Sequence, residues 1–223
     1  MNRLALFDCD GTLADSQAII CRAMADAFAA EGLEPPADSA TRRIVGLSLP
    51  QAIGRLIPEA DDALHHHLAE RYKQAFQRLR AMGQVDEPLF PGIAETLHEL
   101  FDAGWMLGVA TGKSDRGLAH ILAAHKLTHL FSTLQTADRH PSKPHPSMAM
   151  LAMAETGAGP ETTAMIGDTS FDIGMGIAAG CTTVGVAWGY HEAQELFDEG
   201  AHFVADQPGQ LPAILETAIS EPL

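Results

Sequence analysis

Asp8 and Asp10 close the apolar run Leu4-Ala5-Leu6-Phe7 and are followed at once by Gly11-Thr12-Leu13. In an extended strand residues i and i+2 share a face, so both carboxylates point to one side at the strand's carboxyl end. Two acids that close raise each other's proton affinity, and one can stay ionised while the other holds a proton. That division suits covalent phosphoryl transfer, with one carboxylate as nucleophile and the other as acid and then base. A buried strand running into an ordinary turn gives the same short pattern, so the rest of the chain has to decide between them.

Three further apolar runs also end in chemistry. Met106-Leu107-Gly108-Val109-Ala110 leads into Thr111-Gly112-Lys113, where a hydroxyl and a closely approaching backbone can hold a phosphate oxygen. Ser142-Lys143-Pro144-His145-Pro146 places a lysine beside a proline just ahead of a helix start, a point charge for a phosphoryl oxygen. Ile166-Gly167-Asp168-Thr169-Ser170-Phe171-Asp172 supplies a carboxylate that completes an oxygen-rich Mg²⁺ site with Asp8. Asp172, one helical turn on, either supports that site or caps the following helix. Singly, Thr111 reads equally as a turn residue and Lys143 as a solvated side chain. Four such stations in order, each at a strand end, form a joint signal.

The elements that must position these residues alternate. Strands are expected over Arg3–Asp8, Trp105–Ala110, Leu130–Leu134, Thr162–Gly167 and Thr182–Ala187, with a short one at His202–Val204. Helical patterns fall over Gly92–Ala103, Ser114–His125, Pro146–Thr156, Ser170–Ala179, Glu192–Glu199 and Gln210–Ser220. Ser114 suits an N-cap and Pro146 a first helical turn. The alternation predicts a parallel α/β sheet, whose ligands gather outside the carboxyl ends of the strands. From about Asp15 to Gly83 the rhythm breaks. Ile20, Met24, Ala27 and Phe28 lie on one helical face, as do Leu64, Leu68, Tyr72, Ala75, Phe76 and Leu79. This stretch reads as a small inserted α-helical cap domain, 15–83, on a Rossmann-like core formed by 1–14 and 84–223.

Composition bounds the function. The 223 residues, 46% hydrophobic and 19% charged, describe a folded globular protein. A net charge of −15 excludes a phosphate-backbone binder and so predicts no nucleic-acid partner. No apolar stretch approaches the roughly 20 residues that span a bilayer, so no membrane partner is expected. Asp8 and Asp10 interrupt the first apolar run, which therefore does not read as a secretory signal. Cys9, Cys21 and Cys181 form no CxxC pair and suit a reducing cytoplasm.

With these residues in place the chain resembles the haloacid dehalogenase-like hydrolase superfamily. The matching pieces are Asp8-Cys9-Asp10-Gly11-Thr12-Leu13, Ala110-Thr111-Gly112, Lys143-Pro144 and Gly167-Asp168-Thr169-Ser170-Phe171-Asp172. The likeness is greatest to the phosphoglycolate phosphatase and pyrophosphatase branch, which carries an α-helical cap after the first motif. The resemblance implies that Asp8 attacks phosphorus and forms an aspartyl-phosphate. It implies that Asp10 protonates the leaving oxygen, then activates water, while its backbone carbonyl binds Mg²⁺. Thr111, Gly112 and Lys143 would hold the phosphoryl group, Asp8, Asp10 and Asp168 the Mg²⁺, and Asp172 would orient the site. The carboxylate at Asp10 points to ester or anhydride chemistry, since the related transport ATPases have Thr there. The implied enzyme is a cytoplasmic, Mg²⁺-dependent phosphatase of a small phosphorylated metabolite, monomeric or homodimeric, with a phosphoglycolate-like phosphomonoester as the substrate the resemblance implies by default. A sugar phosphomutase of the β-phosphoglucomutase kind and a pyrophosphatase share every core residue, and a catalytically idle ligand- or partner-binding protein is the alternative from another class.

Other signals carry less. His65-His66-His67 on a helix point about 100° apart and cannot converge on one ion, so they read as solvated surface. Cys9, Trp105 and Trp188 read as packed core. Arg42, Arg43 and Arg55 flank Ile44–Ser48 in the cap, and Arg43 is the candidate to bind a substrate anion, an exposed helix face being the competing reading. Lys113 is a second specificity candidate, at the core–cap boundary.

Overall fold

The structure is a computed structural model that describes residues 2–220. Its strands are β1 (Asn2–Phe7), β2 (Met106–Thr111), β3 (Phe131–Thr136), β4 (Ala158–Gly167), β5 (Thr182–Val186) and β6 (Phe203–Ala205). All pair in parallel, in the order β3-β2-β1-β4-β5-β6. The helices are α1 (Gln17–Ala30), α2 (Asp38–Arg42), α3 (Leu49–Leu56), α4 (Asp62–Ala81) and α5 (Ile93–Asp102), then α6 (Asp115–Ala124), α7 (Ser147–Thr156), α8 (Ser170–Ala178), α9 (Ala193–Glu199) and α10 (Leu211–Ser220). This is the expected α/β, Rossmann-like sheet.

Helices cover both faces, which is why β1 reads as a continuous apolar run instead of alternating. Ala5 and Phe7 pack with Leu97, Leu107 and Ile166 on one side, while Leu4 and Leu6 pack with Met148, Met165 and Met175 on the other. Chain order reverses at β1, which lies between β2 and β4, and a crevice opens at that switch point. Phe7 pairs with both Val109 and Ile166, and the Asp8 amide donates to the Ile166 carbonyl at 2.9 Å. Register therefore brings the residues after β1, β2 and β4 to one rim.

Two strands depart from expectation at their polar ends. β3 runs on to Thr136 because Gln135 and Thr136, though buried, find partners in Thr133, Glu155 and Asp115. β4 begins at Ala158, four residues early, where the Thr163 hydroxyl donates to the Gly159 carbonyl at 2.8 Å. Ser114 caps α6 as expected, accepting from the Gly117 amide, whereas Pro146 sits one residue ahead of α7 as its N-cap.

Between β1 and α5 lie four helices, where periodicity had marked only two. α2 and α3 are five and eight residues long, too short for a period to show. Met24, Phe28, Ile53 and Leu68 form an apolar cluster of their own, joined by Phe171 from the first turn of α8. His66 and His67 are exposed, but His65 is half-buried with Nε2 hydrogen-bonded to the Ile57 carbonyl at 3.2 Å. All three cysteines are buried and free.

Candidate active site

Asp8, Lys143, Asp168 and Asp172 meet at the rim, each at most 1% exposed. The Lys143 ammonium donates to Asp8 Oδ1 at 2.7 Å and to Asp172 Oδ1 at 2.6 Å. Burial works against that charge, but Asp172 and Asp8 outweigh it and hold the lysine above its ordinary pKa. Burial pushes the Asp8 carboxyl up to about 7, with Lys143 opposing the rise and Asp172 adding to it. Asp168 is raised as well, by burial and then by Asp172 and Asp8. Asp172 also closes a capping box on α8, its Oδ2 accepting from the Thr169 amide and hydroxyl. Asp172 therefore caps α8 and accepts from Lys143 at the same time.

Asp168 is locked in orientation. The Thr12 hydroxyl donates to its Oδ1 and the Tyr190 amide to its Oδ2, both at 2.9 Å. The chain makes room for it at Gly11, whose φ of +96° is left-handed and where any Cβ would collide with the Asp168 carboxylate.

Ligand atoms of Asp8, Asp168 and Asp172 lie within 4.8 Å of one another. One ammonium cannot balance three carboxylates, and Asp8 Oδ2 is buried without a hydrogen-bond partner. An orphaned hard oxygen among oriented carboxylates fits a cation such as Mg²⁺.

The carboxylate of Asp10 is tied to a second lysine. Lys113 donates to Asp10 Oδ1 at 2.6 Å and to Glu87 Oε1 at 2.9 Å, and Arg80 pairs with Glu87 Oε2 at 3.2 Å. Both anionic partners of Lys113, the substrate-selecting candidate, belong to the protein. Arg43, the other candidate, also has its partner within the protein. It is paired with Glu195 on α9, at 2.5 and 2.8 Å, on an exposed surface. Arg42 reaches Gln17, and Arg55 lies over the Phe171 ring, 4.7 Å from its centroid.

Thr111 ends β2, two residues past Val109, the partner of Phe7, and its hydroxyl accepts from the Lys113 amide. Gly112 lies directly beneath the α2–α3 loop, where a Cβ would stand 2.6 Å from the Leu47 carbonyl and 2.7 Å from that of Gly46. Those atoms are backbone and cannot swing aside. Gly112→Ala is expected to destabilise by about 1–3 kcal/mol, measured by denaturant unfolding. A second tie crosses nearby, the Ser48 amide donating to Ser142 Oγ at 2.8 Å.

A third tie is His191. Its Nδ1 accepts from the Ser170 amide at 3.2 Å and its Nε2 donates to the Arg43 carbonyl at 3.4 Å. Burial and then Arg43 push its pKa below the usual 6.5, so the fold holds the neutral ring. That contribution is complete above 6.5 and is lost as pH falls through the lower folded value. The stability gap between wild type and His191→Gln should therefore narrow from pH 7 to pH 5, read from unfolding midpoints.

Residues 5–186 match the haloacid dehalogenase-like hydrolase family. The chain belongs to the haloacid dehalogenase-like hydrolases. It is similar to the protein named Probable phosphatase IndB of Dickeya dadantii, at 37% identity over 88% of this chain and 86% of that one. It is also similar to the phosphoglycolate phosphatase of Vibrio vulnificus, at 30% identity over 94% of both chains. A solved hydrolase from Pseudomonas syringae superposes with a TM-score of 0.84 at 27% identity, covering 97% of this chain and 99% of the other. These relatives place the protein among the phosphatases of the family, on its phosphoglycolate phosphatase-like branch.

Sequence reasoning about this hydrolase missed Thr12, Glu87, Tyr190 and His191. Thr12 stood inside a quoted motif, where a turn hydroxyl is a ready donor. Trp188, expected in the core, is half-buried and donates its indole N–H to the Thr12 carbonyl at 3.0 Å. Trp105 is buried as expected. Glu87 and His191 sit in connecting segments, and their partners are 26 and 148 residues away, beyond any local pattern.

Proposed function

We propose that this hydrolase is a Mg²⁺-dependent phosphatase acting on a small phosphorylated metabolite through an aspartyl-phosphate on Asp8. The observation that carries the reading is the buried Asp8, with one oxygen held by Lys143 and the other without a partner, beside Asp168 and Asp172. Asp8 and Asp168, with the backbone carbonyl of Asp10, would hold Mg²⁺, which when bound neutralises negative charge between carboxylates and phosphate. Asp8 attacks phosphorus, the bond to the leaving oxygen breaks, and Asp10 gives that oxygen its proton. Asp10 then takes a proton from water as it opens the aspartyl-phosphate. Thr111, Gly112 and Lys143 position the phosphoryl oxygens, Lys143 as a fixed charge that needs no rearrangement. Asp172 holds Lys143 in place.

The helical segment 15–83 acts in this reading as a cap on the core of 1–14 and 84–223, excluding water from the rim. Among the described residues no helix is long and apolar enough to cross a membrane. A cytoplasmic small-molecule enzyme fits that finding.

The test is phosphate release from phosphoglycolate, sugar phosphates, nucleotides and pyrophosphate, with Mg²⁺ and with chelator. Release confined to a few of these compounds and abolished by chelator is expected. An isomeric sugar phosphate without free phosphate would make the protein a mutase. Silence on every compound by folded, Mg²⁺-loaded protein would overturn the proposal.

A further inference from the structure

The cleft that opens beside Asp10 is walled by apolar side chains. Ile20, Met24 and Phe76 of the first and last inserted helices face Val45, Leu47 and Leu49 across it, and its floor is Asp10, Gly112 and Lys113. Tyr72 and Phe76 stand as an aromatic pair on one wall, with ring centroids 5.9 Å apart. Of the acids that ring the reaction centre, Asp10 alone borders this space; Asp8, Asp168 and Asp172 do not. In the proposed mechanism Asp10 meets the leaving oxygen, so the space that begins at Asp10 is where the leaving group lies.

Charge and size then select the occupant. A substrate carboxylate would need a cation with charge to spare, but Lys113 is shared between Asp10 and Glu87, and Arg80 is paired with Glu87. With both carboxylates ionised, two acids and two bases leave that cluster neutral. Lys73, paired with Glu70, and Arg116 also border the cleft, both from exposed positions where water screens them. The cavity measures about 160 Å³. That is about the volume one six-membered ring occupies in an apolar cavity. An anionic group set between Leu47, Leu49 and Phe76 would lose part of its hydration to apolar neighbours.

We infer that the preferred substrate is a phosphomonoester whose leaving alcohol carries one apolar ring, not a short carboxylate. The inference rests on the phosphatase reading, which supplies the place of the leaving group.

The experiment compares kcat/KM for benzyl phosphate and phosphoglycolate with Mg²⁺, both esters of simple alcohols, in wild type, Phe76→Ala and Leu49→Asn. In parallel, calorimetry follows benzylphosphonate binding to the same three Mg²⁺-loaded proteins. Benzyl phosphate is expected to lead by at least about tenfold, and each variant to cut that ratio about fivefold and weaken the phosphonate. Equal or better use of phosphoglycolate would overturn the inference and leave the phosphatase standing. Binding of the phosphonate that depends on both walls, with neither ester hydrolysed, would support the ring-binding cleft and overturn the phosphatase. No hydrolysis and no binding would overturn both.

Discussion

Asp8→Asn is expected to lower turnover at least about 10⁴-fold while the protein stays folded. The amide is no nucleophile towards phosphorus, so the covalent step has no substitute on the chain. Glu87 and Asp10 are tied to Lys113, and Asp168 has a donor on each oxygen. The fold should tolerate the change because the amide matches the carboxylate in shape, and its oxygen can still accept from Lys143. It also removes one of three crowded carboxylates, and crowding with burial is what pushes Asp8 up to about 7. Phosphate-release kinetics and circular dichroism on the same preparation check both halves. Turnover within tenfold of wild type would remove Asp8 from the mechanism.

Lys143→Met should be the most destabilising single change at the site. The ammonium is fully buried, and it is the cation within hydrogen-bonding distance of both Asp8 and Asp172. Its loss leaves the acid group without internal compensation, a situation that costs about 3–5 kcal/mol. In a chain of this size that corresponds to a melting point lower by roughly 10 °C. Mg²⁺ should recover part of the loss, since a cation bound only by the native state stabilises it by mass action. The rise in melting temperature on adding Mg²⁺ is therefore expected to be larger in Lys143→Met than in wild type, with activity absent in both conditions. A variant as stable as wild type, with no added response to Mg²⁺, would show that Asp8 and Asp172 do not depend on the lysine.

The two variants divide the site by what each residue does. On the proposed mechanism Asp8 is expected to carry chemistry and little of the fold's stability. Lys143 carries both, because it stands between two carboxylates that the sheet brings together from 135 and 29 residues away.

Much was legible in the chain itself. Parallel strands covered on both faces are written as short apolar runs, and Leu4–Phe7, Leu107–Ala110 and Ala164–Ile166 show them without alternation. Strand ends collect ligands, so Asp8, Asp10, Thr111, Lys143 and Asp168 could be named as candidates from their joint order and from the family resemblance it carries. Those signals are local, made of a strand's hydrophobicity and the first polar residue after it. The polar stretches of β3 and β4 were hidden, because only partners such as Glu155 and the Gly159 carbonyl make them tolerable inside. What the tertiary structure alone decided was direction and pairing. It tied Asp10 and Glu87 to the same lysine, Lys113. It paired Arg43 with Glu195, and it laid Ile20, Leu49 and Phe76 around one space. Each of those outcomes depends on how the helical insert rests on the sheet, set by contacts between residues far apart in sequence. A periodicity reports that a face is apolar; only packing determines what that face encloses.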